Sequence, residues 1–155
     1  MALLLHHHGQ ALTGDLDFHR QGRAHDALKG AVPMSGVYWI PTLEEDTPAM
    51  FKMFPKAFGT DKEACRDASP IHHLKGASVP MLAITESDCA PIRAQMKMFK
   101  AAVDKEGLGN IRFEDAADRT HLTIVTKMAR KGEDPVRDLV IGFIRKRCEE
   151  LDGKK

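Results

Sequence analysis

Val79-Pro80-Met81-Leu82-Ala83-Ile84-Thr85 leads directly into Glu86-Ser87-Asp88. A short apolar run entered through a proline and left through polar turn residues reads as a buried strand that delivers an acidic loop. Downstream of Pro91, Ile92, Met96, Phe99 and Val103 recur at helical spacing until Gly107 and Gly109 stop the pattern. Ile111 to Glu114 then alternates apolar and charged residues, as a third short strand does, and Asp115 to Thr120 forms a polar loop out of it. Leu122 to Met128 predicts a helical turn or two, and Pro135 starts a final helix with Val136, Leu139, Val140, Phe143, Ile144 and Leu151 on one side.

Upstream, Ser69-Pro70 breaks a helical stretch, and Ala49 to Phe58, with Met50, Phe51, Met53, Phe54 and Phe58, predicts a short helix with an apolar face. The loop from Pro41 to Pro48 separates it from a first strand over Ala31 to Tyr38. Strands alternating with helices predict an α/β fold: a mostly parallel sheet of few strands flanked by helices. Ligand chemistry in such a sheet sits at the C-terminal ends of the strands. Ser35, Asp88 and His121, each near or beyond a strand end, are therefore expected along one edge of the sheet.

The chain has 155 residues, 43% of them hydrophobic and 29% charged, which suits one globular unit with a core and excludes a disordered chain. Lysine and arginine number 23 against 22 for aspartate and glutamate, and this balance disfavours a nucleic-acid partner. No apolar stretch approaches the roughly 20 residues of a membrane helix, and Met1 to Leu5 lacks the basic segment of a secretory signal. A soluble protein without membrane association, in a reducing cytoplasm, is expected. Cys65, Cys89 and Cys148 form no CxxC pair and are expected as buried small hydrophobes.

Asp88 and His121 stand thirty-three residues apart, room for one helix and one strand between them. An acid and then a histidine in loops after successive strands is the order in which an α/β-hydrolase triad finishes. The carboxylate holds the imidazole in one tautomer, and the other ring nitrogen takes the nucleophile's proton. Each residue also has an ordinary role open to it: Asp88 as the N-cap of the helix containing Pro91, and His121 as a surface residue at a helix start.

Ser35-Gly36-Val37-Tyr38, Ala68-Ser69-Pro70-Ile71-His72-His73-Leu74, Val79 to Leu82 leading to Glu86-Ser87-Asp88, and Thr120-His121-Leu122-Thr123-Ile124 with Asp134-Pro135 after it resemble the α/β-hydrolase superfamily. The order and spacing are most similar to its carboxylesterase and kynurenine-formamidase-like branch. The resemblance covers about Ala27 to Arg147 and leaves residues 1–26 poorly matched. It implies that Asp88 is the triad acid and His121 the triad base, that the substrate is a small ester or amide such as an arylformamide, and that neither cofactor nor metal is needed. It also implies that residues 1–155 form a truncated domain, the C-terminal part of that fold.

The family's nucleophile is a serine in a G-x-S-x-G elbow. None of the four serines here, Ser35, Ser69, Ser78 and Ser87, has that setting. Thr85 stands where the family often has glycine, and Ser35 reads as a small residue that lets the chain turn. His6-His7-His8-Gly9 after Ala2 to Leu5 is compatible with an oxyanion loop, with a remnant of the elbow, or with a polar loop. A metal site there is disfavoured because adjacent residues point different ways and no acidic ligands cluster with them. His72 and His73 are expected as buried, hydrogen-bonded structural residues, and the Met50 to Phe58 cluster as core or as an apolar pocket wall. An acid and base without a nucleophile imply an inactive isolated chain, a complementing N-terminal chain, or a binding protein that forms a homodimer through an open sheet edge.

Overall fold

Residues 2–4, 28–41 and 48–152 are described by the structure, a computed structural model. The strands are β1 (Ala2–Leu4), β2 (Ala31–Pro33), β3 (Met81–Glu86) and β4 (Ile111–Ala116). The helices are α1 (Pro55–Phe58), α2 (Lys62–Asp67), α3 (Ala90–Lys105), α4 (Thr123–Thr126) and α5 (Pro135–Asp152), with 3-10 turns at Ala49–Phe51, Pro70–His72 and Lys127–Ala129. The sheet order is β1-β2-β3-β4. β2, β3 and β4 run parallel, and β1 pairs antiparallel with β2. The α/β class expected from the alternation is thus present as three parallel strands flanked by helices. The edge beside β2 is not bare, because β1 lies along it.

β3 is apolar from Met81 to Ile84, a run that suits a strand buried on both faces, and it ends on the buried polar pair Thr85 and Glu86. Leu82 and Ile84 enter one core cluster with Val32, Met34, Ile124, Val136 and Val140, beneath α4 and α5. Ala83 enters the other with Tyr38, Met96, Phe99 and Val103, beneath α3. Side chains in a strand alternate faces, so Glu86 follows Leu82 and Ile84 to the α4 and α5 side. That parity carries its carboxylate toward the loop holding His121.

Helix α3 follows its apolar spacing: Ile92, Gln95, Met96, Phe99 and Val103 are its buried residues. It ends in a Schellman arrangement, with Gly107 at φ 67°, its N–H on the Asp104 carbonyl and the Leu108 N–H on the Val103 carbonyl. The segment expected as one helix over Ala49 to Phe58 is split into a 3-10 turn and α1, since a helix restarts most easily with Pro55 at its first position.

The first strand is shorter than the Ala31 to Tyr38 expected. β2 stops at Pro33, one further bridge joins Met34 to Ile84, and Ser35 turns into the left-handed region at φ 52°. The backbone beyond it finds partners outside the sheet. Gln95 Oε1 accepts the N–H groups of Tyr38 and Trp39 at 3.0 and 2.8 Å, and Gln95 Nε2 donates to the Trp39 carbonyl at 3.0 Å. Ile71 N–H donates to the Tyr38 carbonyl, and Ile40 N–H to Ser69 Oγ. One buried amide on α3 and the Ser69 turn therefore replace the missing ladder. The Tyr38 ring stacks on Phe99 with centroids 4.0 Å apart, and its buried hydroxyl has no hydrogen-bond partner among the described residues.

α5 begins on Asp134, whose Oδ1 accepts the N–H groups of Val136 and Arg137 while Oδ2 receives Arg119 Nη2 at 2.7 Å. Burial raises the Asp134 pKa, but the backbone N–H of Arg137, the Arg119 guanidinium and the backbone N–H of Val136 together outweigh it and hold the carboxyl below its ordinary value. A carboxyl lowered in the folded state stabilises the fold above the unfolded-state value of about 4, and that stability is lost as the pH falls through the folded value. We expect the urea midpoint to drop as the pH is taken from about 5 to about 3. Asp134→Asn, which keeps the cap acceptor but not the charge, should flatten that part of the profile. An unchanged slope in the variant would show that another group carries the dependence.

Candidate functional site

Three side chains meet at the C-terminal end of β3. Glu86, the last residue of the strand, is completely buried, and each carboxylate oxygen has its own partner. Ser35 Oγ donates to Oε2 at 2.5 Å, and His121 Nδ1 lies 2.7 Å from Oε1. The His121 side chain is 55% exposed, so the ring has one edge on a buried carboxylate and the other toward solvent. No hydrogen bond engages Nε2 among the described residues.

The loop that presents His121 is anchored on both sides. Before it, Asp118 takes a left-handed turn at φ 59° and Arg119 is tied to Asp134, the cap of α5. Across it, Thr120 and Thr123 cap each other: each backbone N–H donates to the other's hydroxyl, at 2.8 and 3.1 Å. This is the reciprocal geometry of a capping box, with threonine in place of the usual glutamate. Ile124, fully buried on the α4 side, pins the following turn into the core beneath the site.

Of the sequence candidates, His121 lies at the expected sheet edge. Ser35 is there too, buried, its hydroxyl committed to Glu86 and not to the histidine. Asp88 does not meet His121. It is exposed two residues beyond β3, without a hydrogen bond or ion pair among the described residues, and the N-cap position of α3 is taken by Cys89, whose side chain makes no capping hydrogen bond. The carboxylate on the imidazole is Glu86. Its signal in the sequence was its phase with Leu82 and Ile84, which continues the strand one alternation past Thr85 and turns an apparent loop residue inward.

Other expectations are corrected. Only Cys65 is buried; Cys89 is half-buried and Cys148 exposed, because they fall at the mouth of α3 and on the outer face of α5. His72 and His73 are both exposed on a 3-10 turn and its end, His73 Nε2 lying 2.6 Å from the Asp67 carbonyl. Phe51, Phe54 and Phe58 pack on one another, but Met53 and Phe58 are exposed. A shallow cleft of about 260 Å³ opens instead over α3 and β4, lined by Thr85, Arg93, Met96, Lys97, Lys100, Phe113, Glu114 and Asp115. Neither Glu86 nor His121 lines it, so it is no acyl pocket for this histidine. His6, His7 and His8 lie outside the described residues. Among the described residues no three acidic, histidine or cysteine side chains cluster as metal ligands, and no helix is long and apolar enough to cross a membrane.

A buried carboxylate on Nδ1, with no hydrogen bond on Nε2 among the described residues, is the arrangement an oriented base requires. No serine hydroxyl is hydrogen-bonded to that nitrogen among the described residues. Comparison with protein-family models, curated proteins and solved structures finds no match for this chain.

Proposed function

We propose that this chain is the C-terminal portion of an α/β-hydrolase-type serine hydrolase for small carboxylic esters or arylformamides, acting in the cytoplasm, and carries its acid and base while the nucleophile comes from outside residues 1–155, as from a complementing chain. One observation carries this: a completely buried carboxylate grips Nδ1 of His121 at 2.7 Å and leaves the other ring nitrogen unengaged at a strand end. Nothing in the packing of the core requires an imidazole at such an exposed position. The partner's serine would have to come within about 3 Å of Nε2 to pass its proton there. It would then attack the carbonyl carbon, the imidazolium would protonate the leaving group, and water would hydrolyse the acyl-serine by the same steps.

None of the chain's own serines fits that role. Ser35 and Ser69 are buried and hydrogen-bonded elsewhere, Ser78 precedes β3 at the opposite end of the strand, and Ser87 lacks the glycine-flanked elbow. A binding protein that forms a homodimer through an open sheet edge is the alternative; because β1 lies along β2, the edge it would use is that of β1 or β4.

The purified chain alone should take no label from a serine-directed fluorophosphonate and should not hydrolyse a short aryl ester. Co-expression with the reading frame upstream should yield a complex that does both, with the label on the partner. Stoichiometric labelling of this chain by itself, or a purified complex without turnover, would refute the proposed activity.

A further inference from the structure

We infer that Glu86, braced by Ser35, is the carboxylate that orients His121, in the role that the sequence resemblance assigns to Asp88. The chemistry needs an acceptor that cannot wander, because the tautomer and direction of the imidazole are set by the hydrogen bond its Nδ1 makes. Glu86 meets that need. Its backbone belongs to β3, paired with Ala116 of β4, and its side chain lies on the face already filled by Leu82 and Ile84. A long side chain in a buried strand has few rotamers open to it. The remaining freedom, rotation of the carboxylate, is removed by the short hydrogen bond from Ser35.

Ser35 is placed for this at a conformational cost. A serine at φ 52° is in a region where a side chain is crowded by its own backbone, and such residues persist where the surroundings over-determine them. Two bonds hold it there: its N–H on the Ile84 carbonyl at 2.9 Å and its hydroxyl on Glu86. Val32 of β2 and Met34 at the bridge just beyond it enter the core cluster on the α5 side, so plain alternation would send residue 35 to the opposite face. The left-handed turn is what brings the hydroxyl back to Glu86. Glycine would relieve the crowding but would leave Oε2 of a buried carboxylate without its donor. Ser35 is thus a positioning residue that acts through Glu86, and Asp88, exposed and unpaired among the described residues, has no part in it.

This assignment rests on His121 being the base, but its test reads the imidazole and not turnover, so the two can fail separately. The full chain, labelled with ¹⁵N at histidine, is compared with Glu86→Ala, Glu86→Gln, Ser35→Ala, Ser35→Thr and Asp88→Asn at a pH where the imidazole is neutral. The nitrogen shifts report the tautomer, and His121→Asn identifies the signal. Wild type and Asp88→Asn should both hold the Nδ1–H form. Glu86→Ala should lose it to the Nε2–H form favoured by free imidazole in water, and Glu86→Gln, which restores an acceptor, should recover it. Ser35→Ala should give a mixture that Ser35→Thr reverses. Loss of the Nδ1–H form in Asp88→Asn would overturn the assignment, and so would its retention in Glu86→Ala. If Glu86→Ala does not fold, the surface variant Asp88→Asn and the Ser35 pair still decide it: a wild-type spectrum in Ser35→Ala would remove Ser35 from the role.

Discussion

Gln95→Ala is expected to lower the free energy of unfolding by roughly 2 to 4 kcal/mol, on the basis of about 1 to 3 kcal/mol for the buried Tyr38 N–H left without a partner and less for the two part-buried groups of the exposed Trp39. The amide is buried in the middle of α3 and supplies hydrogen bonds to two N–H groups and one carbonyl of Tyr38 and Trp39. Truncation removes all three at once from a segment that has left the sheet and has no strand to return to. Ser69 and Ile71 hold only the neighbouring groups. The loss is large against a total stability of about 5 to 15 kcal/mol. Urea unfolding should show a much lower midpoint with a similar slope. Gln95→Glu separates the contributions: it keeps an acceptor for both N–H groups but sets a carboxylate oxygen against the Trp39 carbonyl, so it too should destabilise. A midpoint within experimental error of wild type in Gln95→Ala would mean that this loop does not depend on the amide.

His121→Asn should lower kcat of the complemented enzyme by about 10⁴-fold or more, with a much smaller effect on KM, as loss of a triad base does. Asparagine is chosen because its amide nitrogen overlies Nδ1 and can still donate to Glu86, so the buried carboxylate keeps a partner while the group that accepts the proton is gone. The position is exposed, and the folded state should survive. Titration of turnover on a short aryl ester, with the complex confirmed intact by sizing, measures the effect. A fall of less than about tenfold would mean that His121 is not the general base, since even modest acid–base catalysis supplies more than that.

The candidate site divides between what periodicity reveals and what it hides. The alternation of strands and helices set His121 at the sheet edge, but a surface role at a helix start was equally open to it, and only the acid-then-histidine order and the family resemblance singled it out. Ser35 was legible in place but not in purpose: nothing in Pro33-Met34-Ser35-Gly36 tells that the chain enters a left-handed turn there, or that the hydroxyl ends on an acid fifty-one residues away. Glu86 was visible and passed over. Glutamate after a threonine resembles the start of a loop, and only pairing with β4 through Ala116 makes it the last inward residue of a strand. Gln95 has a local signal, standing three residues from Ile92 and four from Phe99 on the apolar face of α3. A polar residue on such a face announces a buried hydrogen-bond partner without naming it.

By itself the sequence determined the alternation of short apolar strands with amphipathic helices, the boundaries of α3 and α5, and the sheet edge where His121 stands. These follow from side-chain period, proline and glycine, which act over a few residues. Tertiary structure alone decided which carboxylate meets the histidine. That choice depends on where β3 ends, on the face its last residue takes and on a hydroxyl carried in from another strand, and a two-residue step from Glu86 to Asp88 moves an acid from the core into water.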